Sequence, residues 1–385
     1  MKTTTFVAVA VAVFVLNFFV APDIADATSQ WARKEGVACQ VCHQGFPRLN
    51  AVGQQYMEDG YTFDVPGELE DKSYYENIKD TLGFRLNVDA VRYDSKSEEL
   101  SFGSTPWLQF FVAGQIAQDF SIFIENEVTT HSTHFSWYKF GYHRNKQFNL
   151  TVGNLSPLDH SSMPDRLRIM PSVKNDFMRT KSSQGNGEAS VNAASARPGI
   201  MYYGTFGNGK FVPYVGVSAA KQASELTSNN TMNSWLGARY NLESGSNFSL
   251  TYYRGTDVAD GGTEDEVLND FNFWIPAVNI RHGGLDIQAA VRFGDEDNFT
   301  LETGDAAMSG DYVGYGFDAA YMFEDKWQPA VNYDRVESGD ITSAKHWLTF
   351  GMSYFPRDNI RFTGYWRQDL EGEKHQAFAV IRAMF

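Results

Sequence analysis

Cys39, Cys42 and His43 stand together in the stretch GVACQVCHQGFPRLN, and the chain of 385 residues has no other cysteine. The C-x-x-C-H spacing suits covalent attachment of a haem: each thiol adds across a porphyrin vinyl group as a thioether, and the histidine that follows coordinates the iron from one side. Competing chemistries ask for more than the sequence supplies. A zinc site built only from thiolates takes four cysteines, and the chain has two. A thioredoxin-like dithiol follows a strand in a βα context, which is missing around Cys39. A disulfide inside so short a loop is open to the pair but gives His43 no task.

One haem c needs a second axial ligand or an open position. Met57, fourteen residues after His43, falls in a helix expected from Leu49 to Glu58, and a thioether there would raise the potential relative to bis-histidine ligation. Packing against the haem edge is its other use. Tyr56 is adjacent, and His160, Met163, Met170 and Met178 lie in a long link that reaches the iron only if it folds inward. Residues 28–80 are polar and irregular, too poor in apolar side chains to fold on their own core, so a covalent macrocycle would serve as that core.

The elements around this segment read in three parts. Lys2, the apolar run 6–20 and Ala25-Asp26-Ala27 form an export signal over 1–27, with the mature chain starting near Thr28 in an oxidising compartment. After it no eighteen-residue apolar stretch occurs, and the mean hydropathy is -0.36. Yet 15% of residues are aromatic, a mix that suits strands with aromatic girdles better than helices. From 81 to 385 the sequence alternates with period two. Phe148, Leu150 and Val152 oppose Gln147, Asn149 and Thr151; Leu285, Ile287, Ala289, Val291 and Phe293 oppose Asp286, Gln288 and Arg292; Ile360, Phe362 and Trp366 oppose Arg361, Thr363, Tyr365 and Arg367.

Sixteen such segments are expected, with tight links such as Gly207-Asn208-Gly209, His282-Gly283 and Arg357-Asp358 after the even ones. Long links follow most odd ones: 95–105, 155–195, 220–231, 256–269, 295–310 and 335–345. A soluble sandwich also alternates, but it does not make every second link tight. The pattern, ending on the aromatic-bearing strand HQAFAVIRAMF, predicts an all-β membrane protein: a 16-stranded antiparallel outer-membrane β-barrel of a Gram-negative bacterium, both termini periplasmic. A barrel this wide encloses a channel unless something fills it, and residues 28–80 are the expected plug.

The run Trp31-Ala32-Arg33-Lys34, Gly36, Cys39, Cys42, His43, Phe46-Pro47, Leu49-Asn50, Gly53 and Gly60-Tyr61 resembles the N-terminal segment of the fused monohaem cytochrome-porins, outer-membrane iron oxidases of iron-oxidising bacteria. The resemblance covers about 35 residues. It implies a small c-type monohaem domain joined to a sixteen-stranded barrel, with Cys39 and Cys42 holding the haem and His43 on the iron. It also implies extracellular Fe(II) as electron donor, with a soluble periplasmic cytochrome expected as acceptor. Outward delivery of electrons, or a diffusion porin gated by its haem domain, are the alternatives. Pro47, Leu49 and Asn50 carry over as motif positions without a task.

The charge of -15 excludes nucleic acid as a partner and is compatible with cations. Glu98, Glu99, Asp257, Asp260, Glu264, Asp265, Glu266, Asp295, Glu296, Asp297, Glu302 and Asp305 fall in predicted outer links, where carboxylates would gather divalent cations or form an ordinary solvated rim. Glu125, Glu127, Asp286, Arg292, Arg361 and Arg367 are expected to line the lumen and hold the plug by charge pairs.

Overall fold

The computed structural model describes residues 29–63, 80–103, 107–129, 132–164, 168–170, 173, 175–178, 181–182, 196–220, 232–258, 268–300, 308–338, 345–372 and 374–384. The export signal at 1–27 and the end of the expected haem segment, 64–79, lie outside the described residues.

Sixteen antiparallel strands form one closed wall. They are β1 (Leu82–Asp94), β2 (Glu99–Phe102 and Trp107–Ala117), β3 (Phe120–Val128), β4 (Thr133–Asn145), β5 (Phe148–Leu155), β6 (Arg197–Tyr203), β7 (Phe211–Ala219) and β8 (Met232–Asn241). The second half is β9 (Asn247–Val258), β10 (Leu268–His282), β11 (Leu285–Thr300), β12 (Met308–Tyr321), β13 (Trp327–Ser338), β14 (Lys345–Arg357), β15 (Ile360–Asp369) and β16 (His375–Met384). Each pairs with the next, and β16 closes on β1 in a register from Arg85↔Met384 to Asp94↔Gln376. One expected link is shorter than the sequence suggests. Glu99–Phe102 folds straight back on β1, Val91↔Phe102 to Asp94↔Glu99, because its own short alternation continues the strand past Gly103.

The alternation is that of a wall with lipid outside. Phe148, Val152, Val291, Phe293 and Trp366 point outward and are exposed, while their neighbours Asn149, Thr151, Asp286, Gln288, Arg292, Arg361 and Thr363 are buried toward the lumen. Polar inside and apolar outside reverses the soluble rule and matches a barrel whose outer face meets hydrocarbon. At one end of β10–β12 the outward row turns polar at Asp270, Asn272, Asp295 and Asp311, beyond Trp274 and Phe293. That change bounds the apolar band, with aromatics at its edge.

The lumen is occupied from two directions. The link after β5 turns inward: Leu158, Met163, Phe177 and Met178 are buried against Tyr203, Trp235, Tyr253, Phe273 and Tyr312 of the wall. Its residues Lys181 and Ser182 then pair with Thr300 and Phe299 of β11, so the link crosses the barrel from one wall to the other. The N-terminal segment fills the opposite end, beside the tight links.

Candidate functional site

Residues 29–63 form two short helices, α1 (Gln30–Glu35) and α2 (Ala51–Glu58), joined through a 3-10 turn at Cys39–Val41. Helix α1 stops at Gly36, which takes the left-handed conformation (φ 64°) that a residue without Cβ adopts without strain. Asn50 starts α2: its side-chain oxygen accepts from the Gly53 amide at 3.0 Å, and its amide nitrogen donates to the carbonyls of Gln40 (3.2 Å) and Val41 (3.0 Å). The cap thus fixes the helix and the cysteine turn to each other. Gly53 is required by the same contact, since a Cβ there would lie 2.2 Å from the Cys42 carbonyl oxygen. The expected helix from Leu49 to Glu58 is α2, and the motif positions Asn50 and Gly53 acquire tasks.

The segment is fastened to the wall by arginines and carboxylates at its single charged points. Arg48, 2% exposed, lies between Asp286 (3.4 Å) and Asp318 (3.2 Å). Glu58, at the end of α2, meets Arg239 at 2.8 Å and His160 at 3.3 Å. Burial pushes the Glu58 carboxyl up, but Arg239 and His160 more than offset it and hold it below its ordinary value. Main-chain carbonyls serve as anchors too: Arg361 donates to Phe46 (2.8 Å), Arg281 to Leu49 (2.9 Å), and Tyr203 to Glu58 (2.7 Å). Gln44 donates to Gly283 (2.7 Å) and Gln40 to Asp358 (2.6 Å), both in tight links, which seats the cysteine turn at that mouth of the barrel.

Cys39, Cys42 and His43 all line one cavity of about 870 Å³ between the segment and the wall. Its apolar side is made of Trp31, Tyr61, Phe111, Phe123 and Phe378. Trp31 stacks on Tyr61 (5.5 Å), and Tyr61 on Phe123 of β3 (6.0 Å). The two thiols are unlinked. Burial, helped by Asp358, pushes the Cys39 thiol up to about 11, and burial with Glu35 raises that of Cys42, so both are neutral at ordinary pH. Burial lowers the His43 imidazole to about 4, leaving it in the neutral form that binds metals. Among the described residues its Nδ1 is buried with no hydrogen-bond partner, and the ring is held edge-on to Phe46 at 5.5 Å.

These residues fit a covalent haem. Two neutral thiols, a neutral imidazole and an aromatic wall face one space of the size that encloses a large ligand, about 300–1,000 Å³. Among the described residues no group of three or more His, Cys, Asp or Glu is placed to hold a bare metal ion. A macrocycle that brings its own four nitrogens asks for none.

Of the expected sixth ligands, Met57 and Tyr56 line this cavity. The Tyr56 hydroxyl donates to Glu35 at 2.9 Å, which leaves Met57 the better placed. The others are elsewhere: Met163 and Met178 pack with Phe177 and Trp235, Met170 packs with Tyr365 and Phe378, and His160 is held by Glu58 and lies tilted against the Tyr203 ring at 4.2 Å. The link does fold inward, but apolar packing turns its methionines toward the wall.

The expected lumen residues all face inward, and among the described contacts two of them hold the segment. Asp286 does so through Arg48 and Arg361 through a carbonyl, whereas Glu125 pairs with Arg85 (3.5 Å) and Arg292 with Glu296 (3.0 Å), all on the wall. Glu127 accepts from Gln109 of the wall, and Arg367 lies over the Trp347 ring at 4.2 Å. Two carboxylates expected on the outer rim are turned in: Asp257 binds Arg197 and Glu296 binds Arg292, because both sit at inward positions of strands longer than the pattern suggested. Glu98, Glu99, Asp295 and Asp297 do lie in exposed positions. Asp260, Glu264, Asp265, Glu266, Glu302 and Asp305 are outside the described residues. Arg48, Glu58, Arg239, Arg281, Asp318 and Arg382 were not singled out by sequence; a charged residue on the polar face of an alternating strand is the signal that marks Arg239, Arg281, Asp318 and Arg382.

No family profile matches the sequence, and neither does any curated protein. Solved structures do match in fold. An anion-selective porin from Comamonas acidovorans superposes with a TM-score of 0.59 at 13% identity, over 79% of this chain and 99% of that one. Salmonella typhi OmpF, in complex with daunomycin, gives 0.55 at 12%, over 79% and 97%. A further porin gives 0.52 at 13%, over 79% and 99%. The fold is therefore that of the porins. What sets this chain apart from a plain wall of strands is the Cys39–His43 turn in its lumen.

Proposed function

We propose that this chain is an outer-membrane electron carrier. A barrel with both termini periplasmic holds one haem c in its lumen and connects extracellular Fe(II), the donor, to a soluble periplasmic cytochrome, the acceptor. The observation that carries this reading is the convergence of Cys39, Cys42 and His43 on a single cavity inside the wall. Bound haem c supplies a one-electron iron couple. Cys39 and Cys42 would attach it, and His43 and Met57 would be the side chains that hold its iron. Trp31, Tyr61, Phe111 and Phe123 would give the flat macrocycle an apolar face to lie against. Position favours the reading as well: a hydrocarbon layer of about 30 Å separates the two solutions, and a redox group serves a route across it from within the barrel. The test is to mix the oxidised, purified protein with Fe(II) and record visible spectra. Reduced haem bands are expected; no reduction at any pH near that of growth sinks the iron reading.

The porin likeness by itself favours a second reading, a diffusion pore that the haem segment gates or uses as a sensor. That reading requires an open path. Steady ion conductance of the haem-loaded protein in a planar bilayer would support it, and a closed barrel would remove it.

A further inference from the structure

The strands that close the barrel carry a buried cation that meets no carboxylate among the described residues. Arg382 on β16 is 7% exposed and lines the same cavity as Cys39, Cys42 and His43. Among the described residues its only hydrogen bond runs from Nε to Asn87 on β1, at 2.6 Å. The other deeply buried arginines are accounted for. Arg48, Arg197, Arg239 and Arg292 each meet a carboxylate, and Arg281 and Arg361 donate to main-chain carbonyls. A charge is retained in so enclosed a place when something of opposite sign pairs with it. Farther along the same seam, Arg92 of β1, which pairs with Phe378 four residues before Arg382, faces the same cavity and lies over the Phe378 ring at 5.5 Å. The cavity is thus two-sided, with aromatic faces from Trp31, Tyr61 and Phe111 and a cationic edge at the β1–β16 seam.

A flat apolar molecule with carboxylates along one edge matches that division. We propose that Arg382, with Arg92 farther along the same seam, receives the propionate carboxylates of the haem. The assignment rests on the haem reading of Cys39, Cys42 and His43. A guanidinium pairs with a carboxylate through two parallel N–H bonds, which fixes the rotation of the macrocycle in its plane as well as neutralising it. A small free oxyanion passing through the lumen offers the same chemistry, so the test separates the two sources.

The experiment compares full-length protein with Arg382→Gln, Arg382→Lys and Arg92→Gln variants. Three readouts are taken: covalent haem staining, the propionate bending band in resonance Raman spectra, and the midpoint potential against pH. Arg382→Gln should keep the stain, move the propionate band, and lower the potential, because an uncompensated carboxylate favours ferric iron. Its potential should also become steeper with pH between about 5 and 8, as the freed propionate titrates. Arg382→Lys should restore most of the potential. Haem-loaded Arg382→Gln with parental band and potential overturns the proposal while leaving the haem reading intact. Unstained parent protein overturns both. There, acetate conductance that falls on Arg382→Gln assigns the guanidinium to passing anions. If the Gln variant fails to assemble, the parent decides: a band at the frequency of a hydrogen-bonded propionate supports the pairing, and one at that of a free propionate overturns it.

Discussion

The wall and the segment inside it are specified in opposite ways. Each strand of the wall pairs along its length with two neighbours, and its side chains follow one repeating rule, apolar out and polar in. No single residue decides that structure. Residues 29–63 have two helices of six and eight residues, and their buried apolar side chains are few: Ala32, Phe46 and Tyr56. Phe46 is buried in a cluster with Phe355 and Met384 of the barrel. The segment is held at points, by Arg48, Glu58 and the carbonyls that Arg361 and Arg281 seek. Repetition tolerates change, whereas a point attachment does not. The segment is folded on a template, and the template is the barrel wall.

That contrast can be broken in several places. The largest effect is expected from Cys39→Ala with Cys42→Ala: covalent haem staining on a denaturing gel should vanish, while the barrel keeps its heat-modifiable migration. Persistent staining would put the attachment elsewhere. Next, Arg48→Ala strands two buried carboxylates, Asp286 and Asp318, at a cost of about 3–5 kcal/mol. Limited proteolysis should then cut within 30–60 in solubilised protein while the wall stays resistant; an uncut segment would refute the point-attachment view. On the wall the comparison reverses. Phe350, mid-strand on β14 and 56% exposed, faces lipid, and Phe350→Arg should cost about 2–4 kcal/mol in urea unfolding from liposomes. On the adjacent strand Arg361 is buried at 1% exposure without harm, because it points the other way, into carbonyls and Ser353. An unaltered unfolding midpoint for Phe350→Arg would place that face away from the hydrocarbon.

The same contrast governs what could be read from the sequence. Strand number and the inward residues were legible because period-two alternation is a local signal repeated sixteen times, and Asp286, Arg292 and Arg361 fall where it puts them. The cysteine turn was legible because Cys39, Cys42 and His43 are adjacent in sequence and line one cavity in space. The partners were not. Arg48 is 238 residues from Asp286 and 270 from Asp318, and Glu58 is 181 from Arg239. Nothing local marks such pairings, so the charges expected to hold the segment were drawn from the right face but mostly given the wrong partners. Asp257 and Glu296 misled for a related reason: a strand that runs a few residues past its clear alternation carries its last carboxylates inward.

The smallest effect is the most local. Asn50 is a motif residue whose task became visible only in three dimensions. Its oxygen caps α2, and its amide nitrogen ties that helix to the carbonyls of Gln40 and Val41. Asn50→Ala removes both functions and should cost about 1 kcal/mol, read as roughly fivefold faster hydrogen exchange at the Gly53 amide. Asn50→Asp keeps the acceptor and loses the donors, so Gly53 should stay protected while the Cys39–Val41 turn loosens. If the segment is held at points, the two variants must differ in this way, because each hydrogen bond fixes its own element. If Gly53 exchanges at the parental rate in both, the wall alone positions α2, and the segment is moulded over its whole surface.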